Sequence, residues 1–208
     1  MLPARFYQRE CLEVAADLLG RWLCHGPVVL RITEVEAYRY PGDTASHCRM
    51  GRTPRNAPMW GPAGRAYVYL CYGVHQMLNI VTDGPDRGAA VLIRACEPVH
   101  GLEEVRARRG GRSGPVLLTG PGKVGAALAV DGTFSGRSLT KQEGLHLRRG
   151  EGPAAGILAG PRVGVDYAEP VHRDAPWRVA LAGTQWVSRR ASLQPVADLR
   201  AFLDAQAL

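Results

Sequence analysis

The stretch from Val28 to Tyr38, VVLRITEVEAY, limits the fold of this chain more than any other. Its β-branched and aliphatic residues specify a long strand, yet the strand carries two glutamates, Glu34 and Glu36, and ends in a tyrosine. Side chains alternate along a strand. Period 2 therefore places Ile32, Glu34, Glu36 and Tyr38 on one face and Arg31, Thr33, Val35 and Ala37 on the other. After Tyr40 a Pro-Gly turn leads into a segment with His47, Arg49, Arg52 and Arg55. An acid beside an aromatic ring, with cations just after it, suits an electron-poor ring carried on a phosphate backbone. The plainer reading gives Tyr38 a structural hydroxyl and leaves both glutamates solvated at a strand end.

The rest of the chain supplies more strands than helices. Residues 9–19 form an amphipathic helix stopped by Gly20, and Trp22 to Cys24 a short apolar piece before the Gly26-Pro27 turn. Tyr40 to Gly64 has little periodicity and is too long to be an idle connection, so it reads as an ordered functional loop. Arg65 to Val81 reads as two strands interrupted at Tyr72-Gly73, and Ala89 to Cys96 as a further strand ended by Glu97-Pro98. Helices are expected at 101–109, 119–130 and 195–205, and short strands at 145–149, 162–165, 177–181 and 186–187, with loop over 150–161. Strands and helices do not alternate regularly. The expected class is α+β with a mainly antiparallel sheet, in a single domain spanning residues 1–208.

Charge narrows the partners. The formal net charge is +7, and of 26 basic residues only Lys123 and Lys141 are lysines. Arginine's planar fork fits phosphates, so a polyanion is the expected partner, although a GC-rich coding bias would give the same excess. No strongly amphipathic basic helix speaks for a membrane surface, and no apolar run reaches the length of a membrane span. Five irregularly spaced cysteines suggest no disulfide framework. With no leader-like N-terminal run, the expectation is a soluble cytoplasmic protein.

Several motifs can be weighed for chemistry. Two acids two apart on one strand face lie about 7 Å apart by strand rise, a distance that suits an acid–base pair across a glycosidic bond. Geometry alone prefers Glu36, which lies nearer the loop end, and leaves Glu34 the option of pairing with an arginine. Tyr67, Tyr69 and Tyr72 are strand packing or base-stacking platforms, and Tyr72, followed by a glycine, can stand at a turn tip as a wedge between base steps. The pairs Cys24-His25 and His47-Cys48, and Cys71/His75 and Cys96/His100 four apart, do not build a zinc site, and a zinc deaminase signature is missing. No metal or cofactor is implied. GPGK at 120–123 is not a nucleotide-triphosphate loop, but Lys123 in a first helical turn can meet a DNA phosphate.

Taken in order, EVEAY with the A-S-H segment, TPRN, YVYLCYG with a later Asn, VLIRACEP, GPGK and RVGV resemble the alkyladenine (3-methyladenine, or methylpurine) DNA glycosylase family. They span roughly residues 5–190, nearly the whole chain. The resemblance implies a compact domain with a curved, mainly antiparallel sheet, surrounding helices and a protruding β-hairpin. It implies that Glu36 activates a water, with Arg94 and the Val163 carbonyl beside that water. Tyr38, His47 and Tyr69 would enclose a flipped base, and the backbone amide of His47 would donate to it. Asn79 would crowd the amino group of guanine, and Tyr72 would enter the duplex through the minor groove. Arg49, Arg52, Arg55 and Lys123 would meet the DNA backbone. Val74 and His75 depart from the bulkier pair of mammalian relatives, which affects the depth of the wedge. The N-terminal extension of some relatives is missing, as in a compact bacterial form.

The implied partner is double-stranded DNA containing damaged purines, and the implied state a monomer, nucleoid-associated in a bacterium. The implied reaction is hydrolysis of the N-glycosidic bond to leave an abasic site, with no strand nicking. Two other classes use parts of the same pattern. A non-catalytic module for damaged or single-stranded nucleic acid needs the arginines and tyrosines but no acid at the sugar. A carbohydrate hydrolase working through Glu34 and Glu36 has no need of the positive charge.

Overall fold

The computed structural model describes residues 1–152 and 156–206. The chain begins with two helices, α1 (Ala4–Tyr7) and α2 (Cys11–Leu18), and then a hairpin of β1 (Trp22–His25) and β2 (Val28–Tyr38). A long loop follows, then β3 (Ala66–Cys71), β4 (His75–Val81) and β5 (Ala90–His100). Helices α3 (Leu102–Arg108) and α4 (Pro121–Leu128) lead to β6 (His146–Arg148) and β7 (Ile157–Gly160). The remaining elements are α5 (Pro170–Arg173), β8 (Arg178–Leu181), β9 (Gln194–Val196) and α6 (Leu199–Gln206).

All nine strands join one antiparallel sheet in the order β3-β4-β5-β2-β8-β7-β9, with β1 beside β2 and β6 beside β1. The fold is thus the α+β arrangement expected, with β2 at its centre. One edge of β2 pairs with β5. The other is shared, β1 taking Val28–Arg31 and β8 taking Glu34–Glu36.

At that handover both β2 and β5 carry an extra residue. Ile32 faces Cys96 and Glu34 faces Ala95, which leaves Thr33 unpaired; Val35 faces Ile93, which leaves Arg94 unpaired. A bulged residue changes which face later side chains occupy. Before it, Val28, Leu30 and Ile32 belong to the main core; after it, Val35 and Ala37 do. Strict alternation is therefore wrong for Ile32, which lies on the core side, opposite Glu34, Glu36 and Tyr38. The Thr33 hydroxyl is satisfied by the Trp186 carbonyl at 2.5 Å.

The main core is filled from the helices: α2 buries Cys11, Leu12, Val14, Ala15, Ala16 and Leu18. The Glu10 carboxylate caps it, accepting from the amides of Leu12 at 2.7 Å and Glu13 at 3.1 Å. Helix α4 lies flat against β4 because its contact residue is a glycine: a Cβ on Gly125 would stand 2.2 Å from the Gln76 carbonyl oxygen.

Several boundaries differ from the expectations. Residues 162–165 are not a strand; Pro161 follows the last residue of β7, and the strand lies at Ile157–Gly160, inside the expected loop. The rest of that loop expectation at 153–155 lies outside the described residues. Trp186-Val187 is irregular backbone, and the last helix starts only at Leu199 because Gln194–Val196 pairs with β7. Strand β5 runs on to His100, with Pro98, which has no amide to donate, beside a register shift.

Candidate active site

Across the sheet face opposite the main core, Glu36 on β2 faces Leu92 on β5, Leu92 faces Asn79 on β4, and Asn79 faces Tyr67 on β3. Tyr69 faces Met77 in the neighbouring row. All six line one cavity of about 490 Å³, a size that suits a small planar ligand. The long loop closes one side. Cys48, Met59 and Trp60 pack there with Tyr67, and Asn56 ties the loop together. The Asn56 amide nitrogen donates to the carbonyls of His47 and Gly51 at 2.9 Å each, and its oxygen accepts from the Thr53 amide at 2.7 Å and the Trp60 indole at 3.2 Å. TPRN thus contributes a structural asparagine beside its exposed arginine.

Glu36 is fully buried. Its Oε1 accepts the Val163 backbone N–H at 2.8 Å and its Oε2 accepts the Tyr38 hydroxyl at 3.0 Å. The Arg94 guanidinium stands 3.4 Å from Glu36 and 3.4 Å from Glu34, and its Nε donates to the Ser188 hydroxyl at 3.1 Å. Glu34 shares the strand face of Glu36 but does not line the cavity, and it is bound on several sides: by Arg178 at 2.8 Å, by the Ser188 amide at 2.6 Å and by the Ser188 hydroxyl at 3.0 Å. Burial pushes the Glu34 carboxyl above the usual range, against the pull of Arg94, Arg178 and the Ser188 amide. Its reading as an arginine's partner agrees with this geometry.

Three rings form the walls. Tyr38 has the Arg162 guanidinium 4.6 Å from its ring centre, and Arg162 is fixed by a two-pronged buried pair with Asp43 at 2.6 and 2.8 Å. His47 meets Tyr69 edge-on at 4.5 Å between centroids, and its Nδ1 lies 3.0 Å from the Tyr67 hydroxyl. Burial, then the charges of Arg55 and Arg49, lower the His47 pKa below its ordinary value, which favours a neutral imidazole. The Asn79 side-chain nitrogen donates to the carbonyls of Tyr67 at 3.1 Å and Met77 at 3.2 Å. Both its hydrogens are thus engaged, and it can offer a ligand only its oxygen.

Tyr72 tops the β3–β4 hairpin, 89 % exposed, with Val74 and Leu70 also exposed beside it. Tyr72 and Gly73 have φ of 49° and 71°, and the Val74 amide closes the turn on the Cys71 carbonyl at 3.2 Å. Two successive positive φ values are the signature of the tight turn that matches strand twist, and glycine takes the second without cost. Tyr72 takes the first with strain, and the ring is held clear of the sheet.

The cavity lining therefore unites Glu36, Arg94, Val163, Tyr38, His47, Tyr69, Asn79, Tyr72 and Arg55. Arg49, Arg52 and Lys123 stand outside it. Arg49 lies 5.3 Å from the ring of Tyr167, and Arg52 is 3.7 Å from Asp86 in an exposed pair. Lys123 is in the first turn of α4, where partial burial and then Arg109 and Arg112 lower its pKa. Val163 reaches Glu36 through its backbone amide. The sequence reading missed Tyr167, whose hydroxyl donates to the Ala45 carbonyl at 2.8 Å at the cavity edge, and left Tyr67 between strand packing and base stacking; it shares the strand face of Tyr69 and lines the cavity. Among the described residues no group of three or more His, Cys, Asp or Glu side chains could hold a metal, and no helix is long and apolar enough to cross a membrane.

The family model of methylpurine-DNA glycosylase matches residues 5–185. A Nitrosococcus oceani protein, provisionally named a 3-methyladenine DNA glycosylase, is 61 % identical over 94 % of this chain and 96 % of its own. The DNA-3-methyladenine glycosylase of Arabidopsis thaliana is 52 % identical over 94 % of this chain and 78 % of its own. A Methanoculleus marisnigri relative with the same provisional name as the first is 44 % identical over 91 % of this chain and 99 % of its own. With a match over most of its length and close relatives of comparable size, the chain belongs to the methylpurine-DNA glycosylase family.

Proposed function

We propose that this protein is a monofunctional DNA glycosylase that hydrolyses the N-glycosidic bond of alkylated or deaminated purines flipped out of duplex DNA, leaving an abasic site. The observation that carries the reading is Glu36: a fully buried carboxylate, bonded at both oxygens, facing a ring-walled cavity. A carboxylate costs several kcal/mol to bury without compensation, and a pocket that only stacked a base would not need one.

In this reading the purine enters between Tyr38 on one side and His47 and Tyr69 on the other. Methylation at N3 or N7 makes the base a cation and a good leaving group. Electron-rich rings favour such a cation, and a neutral His47 does not repel it. Glu36 takes a proton from water while Arg94 steadies the carboxylate, and the water attacks the anomeric carbon. Asn79, fixed in place by its two amide hydrogen bonds, crowds the position of guanine's extra amino group and so disfavours it. Tyr72 occupies the space the base leaves, at a flipping cost of a few kcal/mol that is smaller at a damaged pair.

Arg49, Arg52, Arg55 and Lys123 meet the DNA backbone, and the bond is hydrolysed without a Schiff base; among the described residues Lys123 stands outside the cavity lining. We place the chain as one catalytic domain, acting as a monomer in the cytoplasm. Single-turnover excision on duplexes carrying 3-methyladenine, 7-methylguanine, hypoxanthine or ethenoadenine, against undamaged controls, tests the reading and ranks its substrates. Tight lesion binding with no base released from any of them identifies a binding module instead.

A further inference from the structure

We infer that Glu34 and Ser188 are positioning residues that hold the Arg94 guanidinium short of a full hydrogen-bonded pair with Glu36, leaving accepting capacity on Glu36 for the water. This rests on Glu36 being the water-activating group.

The two glutamates and two arginines form a closed set. Arg178 is fully buried and bonds Glu34 at 2.8 Å, and it also donates to the carbonyls of Pro161 at 2.7 Å and Ser188 at 3.1 Å and to the Ser192 hydroxyl at 2.6 Å. Its charge is spent on Glu34. Arg94 is divided: its Nε bonds the Ser188 hydroxyl and lies 3.4 Å from Glu34, while its Nη1 stops 3.4 Å from Glu36 Oε1. A planar guanidinium released from Ser188 and Glu34 would rotate into the two-pronged pairing it prefers with a carboxylate. Each carboxylate oxygen can accept about two hydrogen bonds, and each oxygen of Glu36 has accepted one. The remaining capacity is what a water would use, and a closer Arg94 would consume it.

The paired bulge makes this division possible. Arg94 is the unpaired residue of β5, opposite the step from Glu34 to Val35, so its side chain starts level with the gap between the two carboxylates. The other charged or titratable groups around the set are already committed. Arg162 is bound by Asp43, the Tyr38 hydroxyl donates to Glu36, burial pushes the Tyr69 phenol up, and burial holds the Cys96 thiol near Glu34 in its neutral form. Glu34 is the carboxylate that competes with Glu36 for Arg94.

Removing the charge of Glu34 leaves two buried guanidiniums with one carboxylate to share. A closer Arg94 then pairs with Glu36 and takes up the accepting capacity that a water would use, so proton transfer from water slows. Glu34→Gln and Ser188→Ala should each lower the single-turnover plateau roughly 10- to 100-fold. Affinity for a duplex containing an abasic site should stay within about twofold, since neither residue lines the cavity. The acid limb of the pH–rate profile should move down by about one unit in Glu34→Gln, and Ser188→Thr should restore the plateau.

A lower plateau with the acid limb unmoved would reduce Glu34 to a structural anchor and overturn the inference. So would Ser188→Ala excising at the wild-type rate. If Glu34→Gln does not fold, the Ser188→Ala and Ser188→Thr pair decides alone. Glu36→Gln, run alongside, separates the two levels: excision persisting in that variant removes the proposed function, whereas its loss beside an unaltered Ser188→Ala removes only the positioning role.

Discussion

Tyr38 and Glu36, two residues apart on the same strand face, are bonded to each other: the phenol donates to the carboxylate at 3.0 Å while its ring walls the cavity. Burial of that hydroxyl and the charge of Glu36 push the Tyr38 pKa well above its ordinary value, so it remains a donor at any working pH. Replacing Tyr38 with Phe keeps the wall and removes the bond. A hydrogen bond to a charged group contributes about 1.5–3 kcal/mol, and Glu36 then sits less rigidly. The expected outcome is a roughly tenfold slower single-turnover excision with lesion affinity nearly intact. Loss of affinity without loss of rate would show that the bond serves stacking alone.

Glu36→Gln keeps the shape of the carboxylate and removes its basicity. Excision of 3-methyladenine should drop by about 10²–10⁴-fold, the usual worth of a general base. Binding to lesion-containing and abasic duplexes in a gel-shift assay should persist. Release of 3-methyladenine at the normal rate would remove Glu36 from the chemistry.

Tyr72 bonds nothing that closes the cavity and is the most exposed aromatic of the hairpin. Tyr72→Ser should weaken affinity for lesion duplexes and reduce the signal of a flipped-base fluorophore such as 2-aminopurine. The positive φ of 49° makes the substitution no more strained than the native residue, so melting temperature should change little. An unchanged fluorophore signal would sink the wedge assignment.

His47 offers a pH test. Its folded pKa lies below the unfolded value of 6.5. The folded protein therefore resists the proton that the unfolded chain accepts, and stability present above that value is lost as pH falls through it toward the folded pKa. The imidazole should titrate below pH 6.5 by NMR, and Arg55→Ala, which removes a neighbouring positive charge, should move the midpoint upward. A midpoint unmoved by Arg55→Ala would mean that burial alone sets the shift.

Asp83 lies far from this chemistry, with its carboxyl pushed up to about 6, chiefly by burial. The folded state keeps a proton that the unfolded chain releases from its value of 3.8 upward, so stability falls as pH rises from about 4 to about 6 and then levels. Solvent at this partly exposed side chain discounts the full shift to about 1 kcal/mol. Asp83→Asn suits the φ of 59° and should stabilise by that amount at pH 8 and by nothing at pH 4. Equal chemical denaturation of both proteins at pH 8 would contradict it.

How much was legible in the sequence depends on what kind of pattern carries each residue. Period 2 alone put Glu36 beside Tyr38 and Tyr69 beside Tyr67, because each pair lies within a regularly paired stretch of its strand. The same rule misplaced Ile32, since a bulge leaves no mark in composition. Asn79, Arg94 and Val163 have no local signature of function, and only the family resemblance drew attention to them. Tyr167 and Ser188 enter through folding that brings distant segments together: Tyr167 meets Ala45, and Ser188 meets Glu34 across 154 positions. Strand β7 was missed because ILAG is too short and small to outweigh the glycines and prolines around it.

The unpaired Thr33 and Arg94 carry a consequence for how such a chain can vary. One strand builds hydrophobic interior with its first half and catalytic surface with its second, and a single additional residue in each of two neighbours separates the tasks. Were Thr33 paired as an ordinary residue of the ladder, Glu34 and Glu36 would turn into the interior and Val35 and Ala37 would face the cavity. Substitution at this point is a local matter, but regular pairing through it would turn the strand inside out. What such a strand has to keep is therefore the unpaired position, more than the identity of the residue that fills it.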